Sequence, residues 1–186
     1  MRYSKEHKAR TRERIVDEAS RRFRRDGIGA TGLQTLMKAL GLTHGGFYAH
    51  FKSKDDLVET ALQHAVQERN DAVDEYMASD EPLQTLIAQY LSAAHRKHAE
   101  QGCPLPTMAA ELGQRGEPSA TTDQLVKTRL EQIAAGLGGD DADERSVLVL
   151  AAMVGALQLS RSVKSKRLSD RFLKTTGQLL DEMVEH

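Results

Sequence analysis

Apolar positions recur every three or four residues along nearly the whole chain, the period of a helix with one buried face. Ile15, Ala19 and Phe23 stand at four-residue steps in a first helix over about residues 6–26, which Asp26-Gly27 closes. Leu33, Leu36, Met37 and Leu40 give a short second helix one apolar face, and Gly41 ends it where the chain must turn sharply. Thr43 then stands as the N-cap of a third short helix, HGGFYAHF, with Phe47 and Phe51 on its core side and His44, Tyr48 and His50 elsewhere. Ser53-Lys54-Asp55-Asp56 has the pattern of a capping box opening a long fourth helix through Leu57, Ala61 and Ala65 to about Met77.

The remainder repeats the helical period. Pro82 starts a fifth helix striped by Leu83, Leu86, Ile87, Tyr90, Leu91 and Ala94 to about Ala99, where GCPLP interrupts it. A sixth helix carries Met108, Ala109 and Leu112 and ends in the loop Gly113 to Pro118. The seventh uses Leu125, Val126, Leu130, Ile133 and Leu137. GLGGDDADE reads as a loop and an acidic helix start; calcium binding is the weaker reading, because an EF-hand loop needs more ligands over a longer fixed spacing. The eighth helix, SVLVLAAMVGALQL, is apolar almost all round and needs cover on several sides. Small residues at Ala151, Ala152, Gly155 and Ala156 would let another helix approach it, and Leu168, Phe172, Leu179 and Met183 stripe the last helix. A two-fold four-helix interface and an ordinary intramolecular core both fit these stripes.

Two short helices about a glycine turn, followed by an aromatic-basic strip, form a helix-turn-helix aimed at DNA. Charge supports that reading. Residues 1–54 hold 13 Lys and Arg against 5 Asp and Glu, although the whole chain of 186 residues has a net charge of -1. A basic head on an acidic body draws a polyanion to one end only. A single cysteine, Cys103, excludes an intrachain disulfide, and no run of about 18 apolar residues spans a bilayer, so a cytoplasmic protein with no membrane partner is expected. G-x-S-x-G, H-E-x-x-H, the P-loop and the dinucleotide glycine turn are all missing, which argues against an enzyme, the rival class. An architectural DNA binder would not need so large a C-terminal body.

The run G-L-T-H-G-G-F-Y-A-H-F-K-S-K-D-D-L from Gly41 to Leu57 resembles the signature of the tetracycline-repressor (TetR) family of bacterial regulators. The likeness extends from about Thr11 through Ile15, Ala19, Phe23, Gly27, Thr31, the Gly41 turn, Tyr48-x-His50-Phe51 and Lys54; beyond Leu57 only helical architecture is shared. Gly32 stands where such proteins often carry a capping Ser or Thr, and His44 where Lys is frequent. The resemblance implies an all-α fold of about nine helices: a three-helix DNA-binding domain over 1–54, then a helical ligand-binding and dimerisation domain over 55–186. It implies double-stranded operator DNA as partner, contacted by Gln34, Thr35, Thr43, His44, Gly45, Tyr48, His50, Lys52 and Lys54. It also implies a homodimer through the last two helices and a small-molecule effector, with no cofactor and no resident metal. Expected lining residues of the effector chamber are Tyr90, Ala94, Cys103, Met108, Leu112, Leu130, Met153 and Leu157, any of which equally suits plain core.

Cys103 has several readings. Gly102-Cys103-Pro104 places the thiol at or just before a helix N-terminus, with Arg96, Lys97 and His98 upstream, which suits a redox or electrophile sensor or a chamber wall. It equally suits a small buried residue beside a helix cap. A metal-responsive variant would use His95, His98 and Cys103.

Overall fold

The computed structural model describes residues 5–185; residues 1–4 and 186, which the expected domains include, lie outside the described residues. It is all-α. Helices α1 (Lys5–Asp26) and α2 (Leu33–Ala39) and a 3₁₀ helix (His44–Ala49) build the head. Helix α3 (Lys54–Met77) runs on into a body of α4 (Pro82–Tyr90), α5 (Ala93–Lys97), α6 (Ala110–Gln114), α7 (Ala120–Leu137), α8 (Ala142–Ser162) and α9 (Lys166–Glu185). No helix among the described residues is long and apolar enough to cross a membrane.

Local chemistry accounts for most boundaries. Gly41 at φ +72° makes the sharp turn of the helix-turn-helix, a conformation that costs other residues strain. The Ser53 hydroxyl accepts the Asp56 amide at 3.1 Å, while the Asp56 carboxylate accepts the Lys52 amide at 2.9 Å, so the start of α3 is capped reciprocally. Gly32 caps α2 without any side-chain hydrogen bond.

Two expected elements differ. The helix after the turn is six residues of 3₁₀ geometry, not α-helix: Gly45 and Gly46 are poor helix formers, and the segment is too short for a settled α ladder. The single fifth helix over 82–99 is instead broken. At Tyr90 the carbonyl is taken by the His95 ring (Nδ1 at 2.7 Å), and the Ser92 hydroxyl accepts the His95 amide at 3.0 Å, which starts α5 afresh. A one-turn π segment (Leu105–Ala109) leads into α6.

Two apolar cores result. The head core joins Ile15, Phe23, Ile28, Leu36, Met37, Phe47 and Phe51 to Leu57, Val58 and Leu62 of α3, and to Met108 and Leu112. The body core gathers Leu83, Leu86, Ile87, Tyr90, Ile133, Val149, Met153, Leu157, Leu173 and Leu180. Burial at about 25 cal/mol per Å² of apolar surface is what holds each together.

Candidate DNA-binding interface and effector chamber

The 3₁₀ helix is anchored by Phe47 and Phe51, both buried and stacked 5.5 Å apart, with the Arg12 guanidinium 4.8 Å over the Phe51 ring. Thr43 accepts the Gly46 amide at 3.2 Å, and Arg14 holds the Leu40 carbonyl at 3.2 Å, so the turn is fixed from both sides. What this leaves outside is a polar face. Tyr48 is 61% exposed and stands edge-on to both Phe47 and His44. Gln34, Thr35, Thr43, His44, Gly45 and Lys52 are also exposed. A Cβ added at Gly45 would meet nothing within 4 Å, so the fold itself does not require glycine there.

His50 and Lys54 sit differently. His50 is half-buried beside His7, Lys8 and Thr11, around a cavity of about 290 Å³. Burial, then Lys8 and Arg12, push its pKa below the ordinary histidine value, so the ring stays neutral. Lys54 donates to the Ile28 carbonyl at 2.6 Å and tethers the α1–α2 loop, and burial lowers its pKa.

The chamber expectation separates into two groups. Tyr90, Cys103, Leu130, Met153 and Leu157 come together in the body core. Met108 and Leu112 do not join them: their segment folds back against α1, so they fill the head core instead. Ala94 is exposed, because the break after Tyr90 turns α5 away from the stripe of α4.

Around Cys103 the structure assembles groups the sequence reading passed over. Arg129 is only 6% exposed; it donates to Gln132 Oε1 at 2.7 Å and Asn70 Oδ1 at 3.3 Å. Arg161 donates to the His95 and Arg96 carbonyls at 2.6 and 3.2 Å. Both guanidiniums, with that of Arg69, act on the Tyr90 hydroxyl, and Arg129 and Arg161 act on the Cys103 thiol. Burial, then the adjacent thiol, drive the Tyr90 pKa well up, so the phenol stays protonated. One sequence signal was available: Arg129 lies four residues from both Leu125 and Ile133, inside the apolar stripe of α7.

His95 cannot serve as a metal ligand with His98 and Cys103, because both its ring nitrogens are engaged: Nδ1 with the Tyr90 carbonyl, and Nε2 accepting the Cys103 amide at 3.0 Å. Burial drops its pKa to about 4. Asp17, His64 and Glu68 do approach one another. Arg24, however, already holds Glu68 at 2.6 Å, and its positive charge opposes a cation there.

Two ties connect the segment from Gly102 to Glu111 with the head. Arg24 of α1, 1% exposed, donates to the Gly102 carbonyl at 3.3 Å as well as to Glu68. Glu111 of α6 accepts the amides of Ile28 and Gly29 at 2.6 and 2.7 Å. Burial works against its charge, but those two amides and Arg115 prevail and hold its pKa below the ordinary carboxylate value.

Residues 15–61 match the family model described as bacterial regulatory proteins, tetR family. The DNA-binding head belongs to the TetR family. An uncharacterized HTH-type transcriptional regulator of Bacillus subtilis, YxaF, is 27% identical over 170 residues, covering 84% of this chain and 87% of its own. A TetR regulator from Chloroflexus aurantiacus shares the fold at a TM-score of 0.70 with 26% identity, covering 95% of this chain and 96% of that one. A family member from Cytophaga hutchinsonii reaches a TM-score of 0.76 at 19% identity, over 98% of both chains. This TetR-like chain is a DNA-binding transcriptional regulator.

Proposed function

We propose that the protein is a homodimeric repressor that leaves its operator when a small molecule fills the body chamber. The observation that carries this is the pair of ties, Arg24 to Gly102 and Glu111 to Ile28 and Gly29, because the first joins the residue beside Cys103 to the DNA-binding head and the second holds the segment that follows it against the α1–α2 loop. Cys103 follows Gly102 directly, so a ligand that displaces the thiol's neighbours pulls on Arg24, and the segment through Glu111 pulls on the α1–α2 loop. Differential contact with two head positions is what lets a ligand shift DNA affinity.

On DNA, the exposed 3₁₀ face enters the major groove: Tyr48, His44 and Thr43 reach base edges or phosphates, Gly45 admits the duplex, and Gln34, Thr35 and Lys52 contact phosphates alongside. His50 and Lys54, half-buried, back this face, with Lys54 holding its position as well as adding charge. The DNA-binding domain spans 1–54 and the effector and dimer domain 55–186, with the start of α3 and residues 108–112 of the body packed into the head.

The second copy docks on α8 and α9. Leu148 and Leu159 of α8 and Leu168 and Leu179 of α9 are exposed large apolar side chains, 55% for Leu148 and 58% for Leu179. Gly155 lies between Leu148 and Leu159 along α8, with open space where a Cβ would stand. Such a stripe on two neighbouring helices fits an isologous four-helix seam.

A thiol-reactive signal is the second reading, favoured by the half-buried Cys103 beside the Tyr90 hydroxyl and two guanidiniums. An operator-binding assay with wild type and Cys103→Ser separates the two: release of both by the same molecule supports a noncovalent effector, and release of wild type alone supports the thiol. Failure of the wild type to bind any promoter fragment flanking its own gene would overturn the repressor reading.

A further inference from the structure

Arg69 stands apart from the other arginines that the fold covers. Each of the other buried or half-buried ones, from Arg22 to Arg161, holds a side-chain or backbone oxygen. Half-buried Arg69 of α3 has neither an ion pair nor a hydrogen bond among the described residues. A guanidinium drawn out of water without an acceptor is costly, so covered charges are ordinarily paired.

Arg69 lines a cavity of about 170 Å³ together with Tyr76 of α3, Gln89 of α4, Ser92 and His95 at the start of α5, and Gln101 beyond it. Its walls carry no carboxylate among the described residues; Glu100, next to Gln101 in sequence, is outside them and accepts from His98 Nδ1 at 3.2 Å. The Tyr76, Gln89 and Gln101 side chains make no hydrogen bond within the protein among the described residues. Ser92, whose hydroxyl accepts the His95 amide, keeps its own O–H to donate. An unpaired guanidinium and four neutral hydrogen-bonding side chains therefore share this cavity. A volume of roughly 150 Å³ accepts a benzene ring, so a ligand of about six heavy atoms fits.

We propose that this cavity binds a small 2-hydroxy or 2-oxo carboxylate, its carboxylate on the Arg69 guanidinium and its hydroxyl or carbonyl among Gln89, Gln101, Ser92 and Tyr76. Arg69 supplies the planar fork that matches a carboxylate, and a single guanidinium balances a monoanion. The neutral walls call for a ligand that hydrogen-bonds along its length, since a plain apolar acid would leave them unpaired in the closed site. The position is suited to signalling. His95 Nε2 accepts the Cys103 amide at 3.0 Å, and Gln101 directly precedes Gly102, whose carbonyl accepts from Arg24 of the head at 3.3 Å. For its effect on DNA the proposal rests on the repressor reading; for binding it stands by itself.

The test titrates the full-length protein with glycolate, lactate and pyruvate against lactamide, glycerol and inorganic phosphate, by calorimetry without DNA and by anisotropy of labelled operator DNA. At least one of the three acids should bind saturably at one site per chain and release DNA, while the neutral probes and phosphate bind more weakly or not at all. Arg69→Gln breaks no bond within the protein and should weaken acid binding at least about tenfold, as expected for a lost charged hydrogen bond. Ala94→Phe is a second variant: Ala94 is exposed and lines the same cavity, so the added ring should block the acid while the fold keeps its melting temperature. Absence of saturable acid binding, equal binding of lactamide or phosphate, or full acid affinity in either variant would overturn the proposal. Acid binding without DNA release would uphold the site and reject its coupling to the head. No operator binding by the free protein would reject the repressor reading, with the calorimetry still deciding the site.

Discussion

The Arg24 guanidinium reaches the carbonyl of Gly102, 78 residues further along the chain, at 3.3 Å, with Arg24 buried and Gly102 pressed against His95. A Cβ at Gly102 would stand 2.7 Å from His95 Nε2, the atom that accepts the Cys103 amide. The residue that meets the head therefore also fixes the ring that walls the chamber, and neither can shift without the other.

Gly102→Ala should break this link. The ring must move, the Cys103 amide loses its acceptor, and stability should fall by about 1–3 kcal/mol through the lost hydrogen bond and local overpacking. Denaturant unfolding checks the stability loss. Operator affinity in the presence of an effector checks the coupling, which should weaken more than affinity in its absence.

Glu111→Gln keeps the shape of the side chain but removes the charge that two amides and Arg115 favour, and should cost about 1–2 kcal/mol. The loss should appear as a lower unfolding midpoint. Because the folded pKa of Glu111 is depressed, its contribution is present above the ordinary carboxylate range and is lost as the pH falls through the folded value. Acid should therefore narrow the gap between wild type and variant.

His95 gives a pH dependence of its own. Its pKa is about 4 in the folded protein against the ordinary 6.5, so the unfolded chain takes up a proton that the native ring refuses. Stability from this residue is complete above about pH 6.5 and is lost as the pH falls toward 4, by roughly 3 kcal/mol in total. The difference in melting temperature between wild type and His95→Gln should shrink across that window. A difference independent of pH would contradict the buried neutral ring.

Leu148→Glu with Leu179→Glu should yield a folded monomer, since both side chains are exposed in the single chain and carry no intramolecular core. Gly155→Trp should act in the same direction, because its added bulk enters space that is open in one copy. Sedimentation at micromolar concentration should find a dimer for wild type and monomers for the variants. Weakened operator binding follows, since two half-sites about 34–36 Å apart need two heads.

The helical count, the Gly41 turn and the split between Phe47/Phe51 and the exposed Tyr48 were legible because each follows from local period and cap chemistry. The break at Tyr90 was not: the His95 ring on the Tyr90 carbonyl is a side-chain choice that periodicity does not register. Met108 and Leu112 carry the right spacing for a chamber wall, and only the path of the loop after Gly102 sends them to the head core. Arg129 was within reach, as a charge standing in an apolar stripe.

The account depends most on the exposed 3₁₀ face, and the direct measurement is anisotropy of labelled DNA flanking the gene, titrated with wild type and with Tyr48→Ala at fixed salt. Tyr48 is not part of the head core, so the variant should keep its melting temperature and dimer mass while losing about 1–3 kcal/mol of specific affinity for each base contact removed. A Tyr48→Ala protein that is equally stable and binds the same fragment with undiminished specificity would contradict the assignment of this face to DNA.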